Sequence, residues 1–249
     1  MISSVGVVVP AHDEEELLPG GLAALRATAA HARMRWPGLR VRVVVAADAC
    51  SDGTARLARE AGVTVVALGA RNVGRARAAG LREILRHVNR NVPATGVTGL
   101  WLATTDADSR VPPDWLARQL RYAAAGWEAV AGTVTVTDWT GHPPGTAAEF
   151  ARRYGVWEGP HPHVHGANLG FTAPAYLGVG GFRPLRTGED RALVAALQAQ
   201  GRRVLRTSSL PVVTSARSRY RAPSGFGHDI TTLGGAAKAS APGSLLGTQ

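Results

Sequence analysis

Short apolar runs alternate with segments of helical spacing through the first hundred residues. The apolar runs cover residues 5–9, 41–46, 63–66 and 100–104, and the first three are rich in Val. Between them, apolar residues recur every three or four positions, as on the buried face of a helix. Strands that alternate with helices pair in parallel and carry helices on both faces of their sheet. The pattern therefore predicts an α/β fold with a mostly parallel central sheet covered on both faces.

The second half of the chain is less regular. It predicts helices over about 112–125 and 189–200, strands over 129–137 and 168–171, a loop over 161–165, and strand-like pieces near 204 and at 212–213. From residue 222 the chain is rich in Gly, Ala and Ser and poor in apolar residues. We therefore expect one domain over residues 1–221 and a mobile tail over 222–249.

The single cysteine, Cys50, excludes a disulfide framework, which needs paired cysteines, and it favours a reducing compartment. Residues 1–9 lack the basic and long apolar regions of a signal peptide. No stretch approaches the roughly 20 apolar residues that span a bilayer. These observations favour a soluble protein of the cytoplasm.

The chain carries 28 Lys and Arg residues against 18 Asp and Glu, a formal net charge of +10. Such a charge is typical of proteins that bind nucleic acid or anionic membranes. Here, however, the basic residues are scattered arginines, with Lys238 the only lysine, and no basic run has interleaved aromatics. We expect no nucleic-acid partner and at most a weak contact with a membrane surface, because a phosphorylated substrate is attracted by the same charge.

Aspartates are concentrated directly after predicted strands, at Asp13, Asp48, Asp52, Asp106 and Asp108. Ligands of open α/β sheets bind beyond the carboxyl ends of the strands. Carboxylates pooled in a basic chain need a compensating cation, which a divalent metal bound to a diphosphate provides. Asp106 and Asp108 are the sharpest pair, because side chains at i and i+2 of an extended chain point the same way and can meet one Mg²⁺ or Mn²⁺. Taken alone, the pair is more typical of a structural turn.

Five segments follow one another in a fixed order along the chain. They read VVVPAHDEE at 7–15, ADACSDGT at 47–54, NVGRARAAG at 72–80, DAD at 106–108 and GED at 188–190. Together they resemble the motifs of family 2 glycosyltransferases with the GT-A fold, over about residues 5–215. The resemblance implies a single-domain, Rossmann-like GT-A sandwich and a metal-dependent, inverting transfer of a sugar to an acceptor hydroxyl. The donor implied is a nucleotide-diphosphate sugar of UDP or GDP type, bound by residues 1–110, with the acceptor bound by 111–221.

The resemblance also assigns roles to individual residues. Those implied to bind the nucleotide are Pro10, Ala11, Asp13, Glu14, Asp48, Arg77 and Asp106. Arg77 would pair with base or phosphate through its guanidinium, the alternative being a solvated helix arginine. Asp106 would lie near the ribose, and Asp108 would be the main ligand of Mg²⁺ or Mn²⁺, which neutralises the departing diphosphate. His228 is a further candidate metal ligand.

Asp190 corresponds to the catalytic base of the family, and Glu189 to a supporting or acceptor-binding residue. The alternative is that two acids at a helix N-terminus merely complement its dipole, an effect of about 0.3–1 kcal/mol. The donor-sugar wall is implied at His165, Gly166, Ala167 and Asn168. His161, His163 and His165 would share one face of an extended segment, and we expect one of them to bind sugar or phosphate; a transition-metal site is the alternative.

Two other functions compete with sugar transfer. A nucleotidyltransferase on a similar sheet is disfavoured because the first strand is not followed by a Gly-rich, Lys-containing phosphate loop. A basic module that binds nucleic acid or a membrane surface would lose affinity steeply with salt and would need no divalent metal. The residues identify neither the acceptor nor the oligomeric state.

Trp101 and Trp115 are expected in the core, because each lies in an apolar segment.

Overall fold

The protein is described here by a computed structural model, which covers residues 1–91, 96–158, 160–217, 230 and 232. The chain divides into two compact units. The first comprises Met1–Thr135 and Trp157–Thr214, and the second comprises Val136–Val156 and Ser215–Gln249. All predicted site residues except His228 belong to the first unit, and His228 lies outside the described residues.

Within the described residues, the first unit holds one eight-stranded sheet. Its strands are β1 (Ser4–Ala11), β2 (Arg40–Asp48), β3 (Thr64–Leu68), β4 (Leu100–Thr104), β5 (Ser109–Arg110), β6 (Ala129–Thr135), β7 (Leu169–Thr172) and β8 (Val204–Thr214). The helices are α1 (Leu18–Arg35), α2 (Thr54–Glu60), α3 (Val73–Asn91), α4 (Trp115–Ala124), α5 (Thr146–Tyr154) in the second unit, α6 (Ala173–Gly178) and α7 (Glu189–Ala199). None of the described helices is both long enough and apolar enough to cross a membrane.

The strand order is β3-β2-β1-β4-β7-β6-β8-β5. β1 pairs in parallel with β2 and β4, and β2 pairs in parallel with β3, so the carboxyl ends of these four strands meet at one edge. β6 and β8 are also parallel, whereas β7 runs antiparallel to β4 and β6, and β5 runs antiparallel to β8. The predicted α/β fold with a mostly parallel sheet is confirmed, and the antiparallel pairs all involve strands after residue 108.

Alternation along β1 explains why both faces of the sheet are covered. All eight residues of β1 are buried. Val7 packs in an apolar cluster with Leu22 of α1, whereas Val8 faces the opposite side and packs in a second cluster with Ile84 of α3. Trp101 and Trp115 have no exposed surface, as predicted.

Several elements differ from those predicted. The two strand-like pieces near 204 and 212–213 are parts of one strand, β8. α1 begins at Leu18 rather than near Glu14, because residues 15–17 form a turn in which the Leu17 N–H donates to the Glu14 carbonyl at 3.2 Å. The Glu14 backbone N–H donates to Thr54 Oγ1 at 2.7 Å. α5 and α6 were not predicted, and each has fewer than ten residues. Short helices show too few turns for apolar periodicity to reveal them.

One residue of the predicted mobile tail is packed. Ile230 is fully buried and clusters with Val136 and Ala216 in the second unit. The rest of the segment 222–249, apart from Thr232, lies outside the described residues.

Candidate active site

A buried arginine joins three of the motifs singled out in the sequence. Arg77 of α3 is 3% exposed, and its guanidinium donates to the carboxylates of Asp106, after β4, and Glu189, at the start of α7. Its Nε donates to Thr104 Oγ1 at 3.1 Å. The solvated-helix alternative for Arg77 is therefore wrong, because it requires an exposed side chain. Direct pairing of Arg77 with a nucleotide stays a prediction.

The two carboxylates that pair with Arg77 differ in their exposure to solvent. Burial lowers the pKa of Arg77, but the attraction of the Asp106 and Glu189 carboxylates raises it by more. The net pKa is above its ordinary value, so the guanidinium stays charged. Burial raises the pKa of Glu189, and Arg77 offsets only part of that effect. The Glu189 side chain is 4% exposed, whereas the Asp106 side chain is 36% exposed at the sheet edge. Glu189 is thus enclosed with its counter-ion, while Asp106 retains a surface that a ligand can reach.

Gly166 links the predicted donor-sugar wall to both Arg77 and Asp190. A Cβ at position 166 would overlap the Arg77 guanidinium, so the close approach requires glycine. The Gly166 backbone N–H donates to Asp190 Oδ2 at 2.8 Å. The Gly166–Asn168 turn, Arg77 and the start of α7 therefore form one continuous contact network.

The two acids of the 188–190 motif have different surroundings. α7 starts after Gly188, whose φ of 73° places it in the left-handed region that glycine tolerates. Glu189 turns inward to Arg77, whereas Asp190 is half-buried and accepts hydrogen bonds from the Gly166 and Arg191 backbones. Both carboxylates thus make specific contacts beyond any effect on the dipole of α7. Asp190 is the acid of this pair that retains access to solvent.

Asp48 organises the loop that follows β3. Its Oδ1 accepts the backbone N–H groups of Ala70 and Arg71 at 2.6 and 2.9 Å, and its Oδ2 accepts that of Asn72 at 2.6 Å. The residue is 4% exposed. This structural role was not predicted; a contact between Asp48 and a nucleotide base stays a prediction.

The loops after β1 and β2 interlock through predicted nucleotide-binding residues. Pro10 and Ala11 are buried at the end of β1. Asp13, with φ of 51°, accepts the Ser51 backbone N–H at 2.6 Å, and this hydrogen bond lowers the pKa of its carboxyl. Sequence reasoning missed that Asp13, Cys50 and Asp52 each place a possible ligand atom within 4.8 Å of the others.

The carboxylates predicted to bind metal lie at the same edge. Asp108 Oδ1 is 3.4 Å from Ser109 Oγ and 3.5 Å from Thr214 Oγ1. Among the described residues, no His, Cys, Asp or Glu side chain forms a three-ligand group with Asp106 and Asp108. That donor set fits Mg²⁺ or Mn²⁺, which prefer carboxylate oxygens and complete their shells with phosphate oxygens and water.

Asn168 has a structural role that the sequence did not reveal. Its side chain is fully buried, donates to the carbonyls of Thr133 and Leu210 at 2.8 and 2.6 Å, and accepts from Trp115 Nε1 at 2.9 Å. These bonds use the amide group to hold the turn against β6 and β8. The predicted sugar contact at Asn168 is therefore restricted to its main chain.

Three histidine rings form a stack that leads to Asp190. The ring centroids of His161, His163 and His165 are 5.9 Å apart at each step, which confirms that the three share one face. His161 is 2% exposed, so its ring is nearly inaccessible to solvent. Within the described residues the three do not form a group with converging metal-ligand atoms, so the transition-metal alternative finds no support.

A comparison with protein families decides the assignment. The pattern of glycosyl transferase family 2 matches residues 6–178, more than half of the chain. The chain belongs to glycosyl transferase family 2. The predicted family and enzyme class, a glycosyltransferase, are thereby confirmed. A comparison with curated protein sequences gave no match.

Solved structures share the fold of this family 2 glycosyltransferase. TarS 1–349 from S. aureus, in complex with UDP-GlcNAc, has a TM-score of 0.62 and 14% identity, over 94% of this chain and 66% of that one. Mannosyltransferase PcManGT from Pyrobaculum calidifontis, in complex with GDP-Man and Mn²⁺, has a TM-score of 0.60 and 21% identity, over 97% and 76%. Glucosyl-3-phosphoglycerate synthase from Mycobacterium tuberculosis has a TM-score of 0.52 and 16% identity, over 97% and 80%.

The chain is shorter than the first of these proteins. It spans 36% of a longer TarS chain and 60% of TarS 1–349 in another structure. At these identities the comparisons establish the GT-A architecture, and the donor and acceptor of the family 2 glycosyltransferase are proposed below.

We expect the stability of this glycosyltransferase to fall as the pH drops from 6.5 to about 4. Burial lowers the pKa of His165 to about 4, although Asp190 opposes the shift. In that window the unfolded chain binds a proton at His165 that the folded chain does not, which costs roughly 3 kcal/mol at most. Chemical denaturation of the His165→Gln variant should therefore show a flatter pH dependence between 6.5 and 4 than that of the parent. His31→Gln on α1 is the matched control, and equal slopes for the two variants would contradict the expectation.

Proposed function

We propose that the protein transfers a sugar from a nucleoside-diphosphate donor to an acceptor hydroxyl, in one metal-dependent displacement that inverts the anomeric carbon. The observation that carries the proposal is the meeting of Asp106, Glu189 and the 166–168 turn around Arg77. This arrangement sets Asp190 beside the predicted donor-sugar wall. The UDP-GlcNAc complex of TarS and the GDP-Man complex of PcManGT support a nucleotide-sugar donor.

Asp190 is the base in this proposal. Its carboxylate takes the proton of the acceptor hydroxyl while the acceptor oxygen bonds to the anomeric carbon. The bond from that carbon to the diphosphate oxygen breaks on the opposite face, and the electron pair leaves with the nucleoside diphosphate. Glu189 does not compete for the proton, because its carboxylate is buried against Arg77. The Gly166 N–H fixes one oxygen of Asp190 and thereby orients the carboxylate.

Asp108 and the exposed part of Asp106 would hold Mg²⁺ or Mn²⁺. Bound there, the cation would neutralise charge on the leaving diphosphate. Mn²⁺ is present in the PcManGT complex and in that of glucosyl-3-phosphoglycerate synthase, which supports the choice of metal. His228 stays a proposed additional ligand.

The nucleotide would lie on the loops after β1, β2 and β3. Pro10 and Ala11 end β1, and Asp13 and Glu14 lie in the loop that follows it. Asp48 holds the loop after β3 by accepting its backbone N–H groups. The acceptor would be bound by the half of the chain after residue 110.

Thermal unfolding with UDP, GDP, CDP and dTDP, each with and without Mn²⁺, tests the proposal. A ligand at 100 times its Kd stabilises the fold by about 2.7 kcal/mol, which raises the Tm by about 5–10 °C for a chain of this size. We expect a shift with one nucleotide and only when Mn²⁺ is present. Unchanged Tm values with all four nucleotides would contradict a nucleotide-sugar donor and favour a basic binding module.

Asp108→Ala should abolish the Mn²⁺-dependent part of that shift, because a metal ligand is lost while the loops that hold the base are unchanged. The control is Asp138→Ala, which removes the same charge from an exposed residue of the second unit. The Tm of each variant without ligand reports on folding. A full Mn²⁺-dependent shift in Asp108→Ala would place the metal elsewhere.

A further inference from the structure

A cavity lies at the amino-terminal end of the parallel strands, opposite the edge that carries the candidate active site. It has a volume of about 380 Å³ and is lined by the first residues of β1 and β2, where Ser4 is level with Arg40. β1 has eight residues and strands rise about 3.3 Å per residue, so the cavity is roughly 20 Å from the strand ends that carry Asp48 and Asp106. It is therefore separate from the candidate active site.

Three arginines and one histidine line this cavity: Arg33, Arg40, Arg42 and His87. Among the described residues, the arginines donate to a backbone carbonyl and to hydroxyl groups, and Arg42 also approaches His87. Arg33 reaches the Val41 carbonyl at 3.4 Å, Arg40 Nε donates to Ser4 Oγ at 3.3 Å, and Arg42 donates to Thr64 Oγ1 at 2.9 Å. In the described part of the chain, no carboxylate forms an ion pair with any of the three. Their positive charges are therefore not compensated within that part of the protein.

One donor of Arg42 is buried beside the cavity. Its Nε is enclosed by protein and makes no hydrogen bond with the described residues. A buried N–H without an acceptor is costly, and natural structures rarely leave one unsatisfied without a ligand or water. The same side chain lies 3.5 Å from His87 Nε2, so the cavity walls from β2 and α3 meet at this guanidinium.

The floor of the cavity is apolar. Val5, Leu39, Ile84 and Val88 line it and are at most 5% exposed. Apolar walls lower the local dielectric and strengthen the attraction between the arginines and an anion. They also offer a surface for an uncharged part of the same ligand.

We propose that this cavity, lined by Arg33, Arg40 and Arg42, binds a phosphate group. Guanidinium groups match phosphate oxygens in geometry. Several guanidinium groups together favour a phosphate ligand, which carries up to two negative charges, over a carboxylate ligand, which carries one. The phosphate belongs either to a small phosphorylated molecule or to a lipid headgroup, and both present the same oxygens to the arginines.

The first arm of the test is calorimetric titration of the full chain with inorganic phosphate, in EDTA so that no metal-dependent site contributes. Arg33→Gln/Arg40→Gln should weaken phosphate binding at least about tenfold, because two guanidinium contacts are lost. Both residues are exposed, so the double variant is expected to fold. The matched control is Arg59→Gln/Arg121→Gln, which removes two charges from exposed sites outside the cavity and should change the affinity by less than about twofold.

The second arm is sedimentation with vesicles of phosphatidylcholine, with and without phosphatidic acid. Binding to the acidic vesicles that the cavity variant loses and the control keeps assigns the phosphate to a lipid headgroup. Binding of free phosphate without vesicle binding assigns it to a small molecule. Equal affinities of the parent, cavity variant and control for both probes, or binding of neither probe by the parent, would overturn the proposal.

Discussion

Asp190→Asn is expected to reduce sugar transfer about a thousandfold while nucleotide binding changes by less than about twofold. Asparagine cannot take the acceptor proton, yet its amide oxygen can still accept the Gly166 N–H, so the geometry around α7 is retained. The loss should appear in kcat rather than in KM for the donor. Once thermal unfolding has identified the nucleotide, release of that nucleoside diphosphate from its sugar donors, with water as the acceptor of the sugar, provides the assay.

Two comparisons make this result specific. Asp114→Asn at the start of α4 removes the same charge near a helix N-terminus and should leave kcat within about twofold of the parent. A carboxylate with only a structural role would leave kcat nearly unchanged in Asp190→Asn, because the amide keeps the hydrogen bond from Gly166. Undiminished turnover in Asp190→Asn would remove this residue from the role of base.

Arg77→Met is expected to destabilise the fold by about 3–5 kcal/mol and to lower the Tm by roughly 6–20 °C. Glu189 is nearly inaccessible to water, so loss of its counter-ion leaves a buried carboxylate without compensation. Arg75→Met is the matched control on the same helix, because Arg75 is exposed. Its Tm should stay within a few degrees of the parent. Equal Tm values for the two variants would show that the buried ion pairs do not support the fold.

A double variant separates the buried charge from the lost packing. In Arg77→Met/Glu189→Met neither charge is buried, so much of the stability lost in Arg77→Met should return. Asp106 is partly exposed and remains hydrated without its partner. A double variant less stable than Arg77→Met would contradict this account.

The sequence predicted those parts of the fold that depend on local patterns. Apolar runs and helical spacing located β1 to β4 and α1 to α3, because each signal lies within about twenty residues. Pairing of β7 between β4 and β6 brings together residues about 40 to 70 positions apart, and no local pattern encodes it. The bulge between Gly132 and Val134 likewise shifts the register of β6 and β8 without a sequence signal.

The site shows the same division. The order of the motifs selected Arg77, Asp106 and Asp190, but it did not reveal that Arg77 is buried between carboxylates 29 and 112 positions away. Asp48 was chosen as a ligand-binding acid because it follows a strand, while its three amide partners depend on how the loop after β3 folds back. Asn168 looked like part of a sugar wall, and only the packing of Trp115 shows why its amide is buried.

The ion pair between Arg77 and Glu189 restricts which chimeras can be built from two glycosyltransferases of this family. Arg77 comes from the half of the chain that we expect to bind nucleotide, and Glu189 comes from the half that we expect to bind acceptor. A chimera that joins the first half of this protein to the second half of another enzyme must therefore preserve an acid that reaches this guanidinium and a glycine that clears it. A second half without the acid would leave the buried charge of Arg77 without this partner, and one without the glycine would clash with the guanidinium. We therefore expect acceptor-binding halves to be interchangeable only among chains that carry both the acid and the glycine.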